Sequence, residues 1–137
     1  MREILFRGKK NNNGEWIYGD LSICDDCDPS IYDTQTGNRH FRMGSRVLCE
    51  SIGQYTGLTD KNGKKIFEGD ICQIKGISYI DETPFVIEWN NDWGGWYWRD
   101  LDFGSATDSF THSIAKTSKV IGNIHDNPEL LEGGEQE

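Results

Sequence analysis

Glycine, asparagine and aspartate interrupt this chain every few residues, and that spacing limits what it can fold into. Sixteen of its 137 residues are glycine. The clusters KKNNNG (9–14), TGN (36–38), DKNG (60–63), EGD (68–70) and NNDWGG (90–95) are turn sequences. Asn and Gly tolerate positive φ, and Asp and Asn side chains bond nearby backbone, so such clusters reverse the chain. The apolar segments between them are of strand length, about four to eight residues, and too short for ordinary helices.

Residues 3–7 and 15–21 read as an N-terminal β-hairpin joined by the 9–14 turn. Further strands are expected at 46–54, 65–67, 71–75, 85–89, 96–101 and 119–124, with shorter ones at 30–34 and 39–43. Side chains alternate along a strand, so Phe85, Ile87 and Trp89 share one face, as do Trp96 and Trp98, while Tyr97 and Arg99 point the other way. The stretch 104–118 is small and polar; a short helix or turn fits there, but nothing demands one. Asn127, Pro128 and Glu129 form a helix start, with an N-cap, a first-position proline and an acid in the first turn. Gly133 and Gly134 end that helix, and 133–137 reads as a frayed tail. No repeat or linker divides the chain, so 1–137 is expected to be a single domain with a variable loop region at 22–46. Short strands joined by turns indicate a mainly β sandwich or small barrel.

Aromatic residues make up 12% of the chain, which argues against global disorder even though hydrophobic residues are only 35%. The formal net charge is −9, so a nucleic-acid partner is not expected, because backbone binding needs a basic face. Five of the 23 acids, Asp126, Glu129, Glu132, Glu135 and Glu137, lie in the last twelve residues with no base among them. The acidity therefore says less about any functional surface than the total suggests. No apolar run approaches the roughly 18–20 residues that span a bilayer. MREILFRGKK lacks the apolar core of a secretory signal. A soluble cytoplasmic protein without membrane contact is expected.

Cys24 and Cys27 have C-x-x-C spacing, which can chelate zinc or exchange disulfides. A structural zinc site normally needs a second close pair, and Cys49 and Cys72 stand far apart. Asp25 and Asp26 disfavour the thiolate that a redox role requires. The expectation is a C-x-x-C placed by chance in a loop, with Cys49 and Cys72 as small core residues on strands. His40, His112 and His125 are scattered, with no catalytic arrangement around them. Gly63-Lys64-Lys65 is no phosphate loop, since Lys65 replaces the Ser/Thr and a strand follows.

Residues 54–71 read QYTGLTDKNGKKIFEGDI, and 120–132 read VIGNIHDNPELLE. With EILFRGKK…WIYGDL at the start, these blocks resemble the YopX-like proteins of bacteriophages and bacterial prophages, over nearly the whole length. The resemblance implies a mainly β fold with a central SH3-like barrel, a phage or prophage origin, and action in a bacterial cytoplasm. It implies no reaction, no catalytic residue, no cofactor and no metal.

Physically, the signature residues Tyr55, Gly57, Asp60, Gly63, Glu68, Gly69, Asp70, Gly122, Asn127 and Pro128 read as structural. The glycines of the first block sit at expected turns needing positive φ, and Asp60 and Asp70 can cap turns through their carboxylates. The functional alternative is a metal-dependent hydrolase built on Asp60, Glu68, Asp70 and a histidine. The other distinctive feature is Trp89, Trp93, Trp96 and Trp98 within ten residues. Buried cross-strand core is the default for Trp89, Trp96 and Trp98. Trp93 falls in the loop and is hard to bury. Trp93, Trp96 and Trp98 are the candidate partner-binding residues, since Trp is enriched at binding hot spots. The leading functional reading is thus a β module that binds itself as a homo-oligomer, or a host or phage protein. A third reading is an acidic mimic of nucleic acid.

Overall fold

The computed structural model describes residues 2–24, 27–33, 44–74, 84–101 and 107–135. They form a mainly β protein with two antiparallel sheets and one short α-helix. By contacts, the chain groups into two compact units, 1–55 and 56–137.

In the first unit, β1 (Phe6–Lys9), β2 (Trp16–Cys24), β3 (Cys27–Asp33) and β4 (Gly44–Arg46) lie in the order β4-β3-β2-β1. The start of β5 (Gly53–Thr59) pairs with β1, Phe6 opposite Gln54. Ile17, Ile31 and Val47 form a buried core, flanked by Phe6, Leu21 and Ile52. Gly8 faces that core. A Cβ there would sit 3.0 Å from Val47 Cβ and 3.1 Å from Ile31 Cδ1, so the glycine leaves room for both. On the opposite strand face, Arg7 and Lys9 stand over the Trp16 ring, 4.7 and 5.5 Å from its centroid.

The expected strand at 46–54 is broken. Val47 makes an isolated bridge with Lys10, and a 3-10 turn follows at Cys49–Ser51. The cause is Ser51, whose hydroxyl donates to Leu48 O (2.7 Å) and accepts from Lys9 N (2.8 Å), holding the chain in a bend. Cys49 is consequently exposed rather than core. The C-x-x-C is not in a loop either. Cys24 ends β2, Cys27 begins β3, and the two are register partners.

In the second unit, β5 continues beside β6 (Lys65–Phe67). A five-stranded sheet has the order β10-β9-β8-β7-β11, with β7 (Asp70–Ile74), β8 (Phe85–Asn90), β9 (Gly95–Asp100), β10 (Thr107–Ser109) and β11 (Ser118–Asn123). Ile66, Cys72, Ile74, Phe85, Ile87, Phe110, Ala115 and Val120 form its core. Among the described residues no closed barrel is found: β10 and β11 end the sheet without pairing to each other. The mainly β class expected from the resemblance holds, and the closed SH3-like barrel is not formed among the described residues.

Two local expectations also change, and one that was left open is decided. Gly57 lies within β5 at φ +90° rather than in a turn. The polar stretch before β11 holds helix α1 (His112–Thr117), started by Thr111, whose side chain accepts from Ile114 N. A Thr N-cap was the missed signal. The C-terminal helix is a 3-10 segment, Pro128–Glu135. Its first bond, Leu130 N to Asn127 O at 3.0 Å, spans three residues instead of four. Among the described residues no helix is long and apolar enough to cross a membrane.

Candidate functional site

The two signature blocks meet, and Asp60 joins them. Its Oδ1 accepts from Asn62 N and Lys64 N, both at 2.9 Å, and closes the turn. Its Oδ2 accepts from Val120 N in β11 at 3.0 Å. Lys61 N donates to Ser118 O beside it at 2.9 Å. Burial of the Asp60 carboxyl works against its charge. The amides of Val120, Lys64 and Asn62 and the Lys64 ammonium outweigh that and hold it below the usual value. Gly63 takes φ +82° to complete the turn.

Asp70 does a similar task at the next turn: it is buried, and its Oδ2 accepts from Phe67 N at 2.8 Å. Glu68 is half-buried within that turn. Gly69, at φ +91°, donates to Ile87 O and accepts from Ile124 N, tying the turn to both β8 and the end of β11. In the second block, Asn127 Oδ1 turns back to accept from Asn123 N at 3.1 Å. It lies over Gly122, where a Cβ would come within 2.4 Å of it. Pro128 then opens the 3-10 segment. Tyr55 is buried, and its amide donates to Leu5 O in the first unit. Among the described residues no three His, Cys, Asp or Glu side chains come together in a way that could hold a metal ion. His112 is exposed at the start of α1, and His125 is half-buried after β11; His40 lies outside the described residues.

The aromatic cluster divides by strand face. Register sets Ile87 opposite Trp98 and Trp89 opposite Trp96. Trp96 and Trp98 are half-buried and pack against the core, Trp98 with its centroid 5.5 Å from that of Phe85. Trp98 Nε1 is itself buried. Trp89 shares their face but stands at the sheet's end, 43% exposed, with an edge-to-face contact to Trp96 at 5.0 Å. The expected core position of Trp89 is thus corrected: Trp96 packs against the core, and its register partner Trp89 does not.

The opposite face of the hairpin is built differently. Glu88 sits between Tyr97 and Arg99. Tyr97 Oη donates to Glu88 Oε1 at 2.6 Å, and Arg99 donates to both carboxylate oxygens at 3.1 and 2.9 Å. Burial alone would raise the Glu88 pKa, but the Arg99 and Tyr97 bonds and the Arg99 charge bring it below the ordinary value. The same bond to Glu88, helped by burial and its charge, raises the pKa of Tyr97. Next to Tyr97 lies Trp93, at 6.4 Å between centroids and edge-on. Its indole folds over Gly95, where a Cβ would come within 2.7 Å of Cζ3. Asn90 Oδ1 accepts from the amides of Asp92 (2.8 Å) and Trp93 (3.2 Å) and fixes the loop. Trp93 is nonetheless 51% exposed. The structure therefore separates Trp93 from Trp96 and Trp98, and adds Tyr97, Glu88 and Arg99 beside it. Their alternation in sequence already carried that signal.

The YopX protein family model matches residues 5–132. This chain belongs to the YopX protein family. Its fold is similar to the crystal structure of protein EF1440 from Enterococcus faecalis, with a TM-score of 0.61 and 27% identity. That match covers 96% of this chain and 99% of the other. No curated protein matches it. Family membership accounts for both signature blocks, and neither comparison names an activity.

Proposed function

We propose that this YopX-family chain is a non-catalytic protein-interaction module that binds through the outer face of the β8–β9 hairpin, in the bacterial cytoplasm of a phage or prophage host. The observation that carries this reading is Trp93, an indole half in solvent yet held over Gly95 and against Tyr97. Trp, Tyr and Arg are the residue types enriched at binding hot spots, and a side chain already held in place loses less freedom on binding. The occupant is a second copy of the chain or a host or phage protein. The hydrolase reading has little to stand on: Asp60 and Asp70 spend carboxylate oxygens on backbone amides. The nucleic-acid-mimic reading rests on net charge alone.

Size-exclusion chromatography with light scattering, on wild type and Trp93→Ala, reads self-association. Capture from host lysate with the same two proteins reads a heterologous partner. A dimer or a retained protein that is lost in Trp93→Ala supports the reading. Two monomers that retain nothing would sink it.

A further inference from the structure

Trp16 and Trp93 are treated differently by the chain. Arg7 and Lys9 stand over the Trp16 ring. Trp93, half exposed, meets Tyr97 and Gly95 but no cation among the described residues. The charges around it explain why. Among the described residues of β8, the loop, β9 and β10, Arg99 is the one Lys or Arg, and Glu88 already holds it in a two-point pair. The carboxylates there are Glu88, Asp92, Asp100 and Asp108. Asp92, exposed and adjacent to Trp93, has no ionic partner among the described residues, and its backbone amide is the group that Asn90 binds.

We propose that this face takes a basic protein segment, an arginine of which stacks on the open face of Trp93 while its charge is matched by Asp92. The ring quadrupole attracts a guanidinium, and Trp is the strongest such ring. Arg also fits a planar surface better than Lys does. Asp92 disfavours a second copy as occupant: apposed tips would bring the Asp92 carboxylates of both chains together. This inference rests on the interaction reading above and adds the chemistry of the partner.

The test uses the full chain and a short acetylated Gly-Arg repeat peptide as probe. A citrulline version keeps the shape and removes the charge. Indole N–H resonances of 15N-labelled protein report where the peptide lands, and titration gives the affinity at low and physiological salt. The Trp93 resonance is expected to move with the arginine peptide and not with the citrulline one. Trp93→Leu, which keeps apolar bulk, is expected to weaken binding about three- to thirtyfold, the range of a cation over an indole from exposed to desolvated. Asp92→Asn is expected to weaken it about two- to fivefold. Glu50→Gln, the same charge change in the first unit, should leave it within about twofold. Equal binding by Trp93→Leu, or equal losses in Asp92→Asn and Glu50→Gln, would show attraction to net charge alone and overturn the proposal. If the peptide leaves Trp93 unmoved while Trp93→Ala dissolves a dimer, the occupant is a second copy; the basic-partner inference falls and the interaction reading stands. If neither occurs, the basic-partner inference falls, and the interaction reading falls with it when lysate capture also retains nothing that Trp93→Ala loses.

Discussion

At Asp60, one carboxylate accepts three amides drawn from two stretches of chain sixty residues apart. An asparagine there keeps one acceptor and turns an N–H toward the amide of Val120. Charge-assisted hydrogen bonds contribute more than neutral ones, and a buried amide left unpaired is costly. Asp60→Asn is therefore expected to lower stability by about 2–4 kcal/mol in urea unfolding; a change under about 0.5 kcal/mol would show that Asp60 holds nothing. Gly122 and Asn127 form a second such pair. Gly122→Ala places a Cβ against the Asn127 carboxamide and should cost about 1–3 kcal/mol. In Asn127→Ala the same substitution should cost markedly less, which a double-mutant cycle reads as coupling. Gly57 and Gly122 lie within strands, whereas Asp60, Gly63, Gly69 and Asp70 were legible in sequence as turn formers. Their long-range bonds were not, because a side-chain cap looks the same in sequence whether it bonds its own turn or a distant strand.

The β8–β9 hairpin shows what alternation can and cannot establish at the scale of an element. Period-two patterning placed Trp96 and Trp98 on one face and Tyr97 and Arg99 on the other, as the register confirms. It could not say that Trp96 reaches the core while its register partner Trp89 stays exposed, since that depends on what packs above the sheet. The energetic contrast is testable. Trp98→Ala removes a ring packed on Phe85 and should destabilise by about 2–4 kcal/mol, whereas Trp93→Ala should change stability by less than about 1 kcal/mol. Equal losses in the two variants would place Trp93 in the fold rather than at a contact surface. The Glu88–Arg99 pair is about one-third exposed on each side, so solvent screens it, and Glu88→Gln should cost at most about 1 kcal/mol. Where the strand expected at 46–54 broke, a single Ser51 side chain outcompeted a sheet ladder, a choice that propensity does not encode.

For the whole molecule, acid should be the weak side. Asp60 and Glu88 both have folded-state pKa values below their ordinary 3.8 and 4.5. The stability they contribute is present above those ordinary values and is lost as pH falls through the lower folded ones. Tyr97 has the opposite sign: its folded pKa lies above the ordinary 10.0, so its contribution is present below that value and is lost as pH rises through the higher folded one. Urea midpoints measured against pH should be flat near neutrality and fall below about pH 4, with a shallower fall in Asp60→Asn; an unchanged slope in that variant would remove Asp60 from the account. Thiol chemistry gives a second global readout. Burial, with the nearby charges of Asp70 and Asp60, pushes the Cys72 thiol well up, while Cys49 is exposed. Alkylation followed by mass spectrometry should label Cys49 in the native protein and Cys72 only on unfolding; rapid native labelling of Cys72 would contradict its burial. The sequence by itself determined that this chain is mainly β and where most of its turns fall, because turn chemistry and period-two alternation are local properties of consecutive residues; the family resemblance was carried separately by its signature blocks. Only the tertiary structure decided that the described strands close no barrel, that the signature blocks bond each other through Asp60, and that Trp89 is exposed while Trp96 and Trp98 pack on the core. Those outcomes depend on which distant groups come within hydrogen-bonding or packing distance, and no local pattern records that.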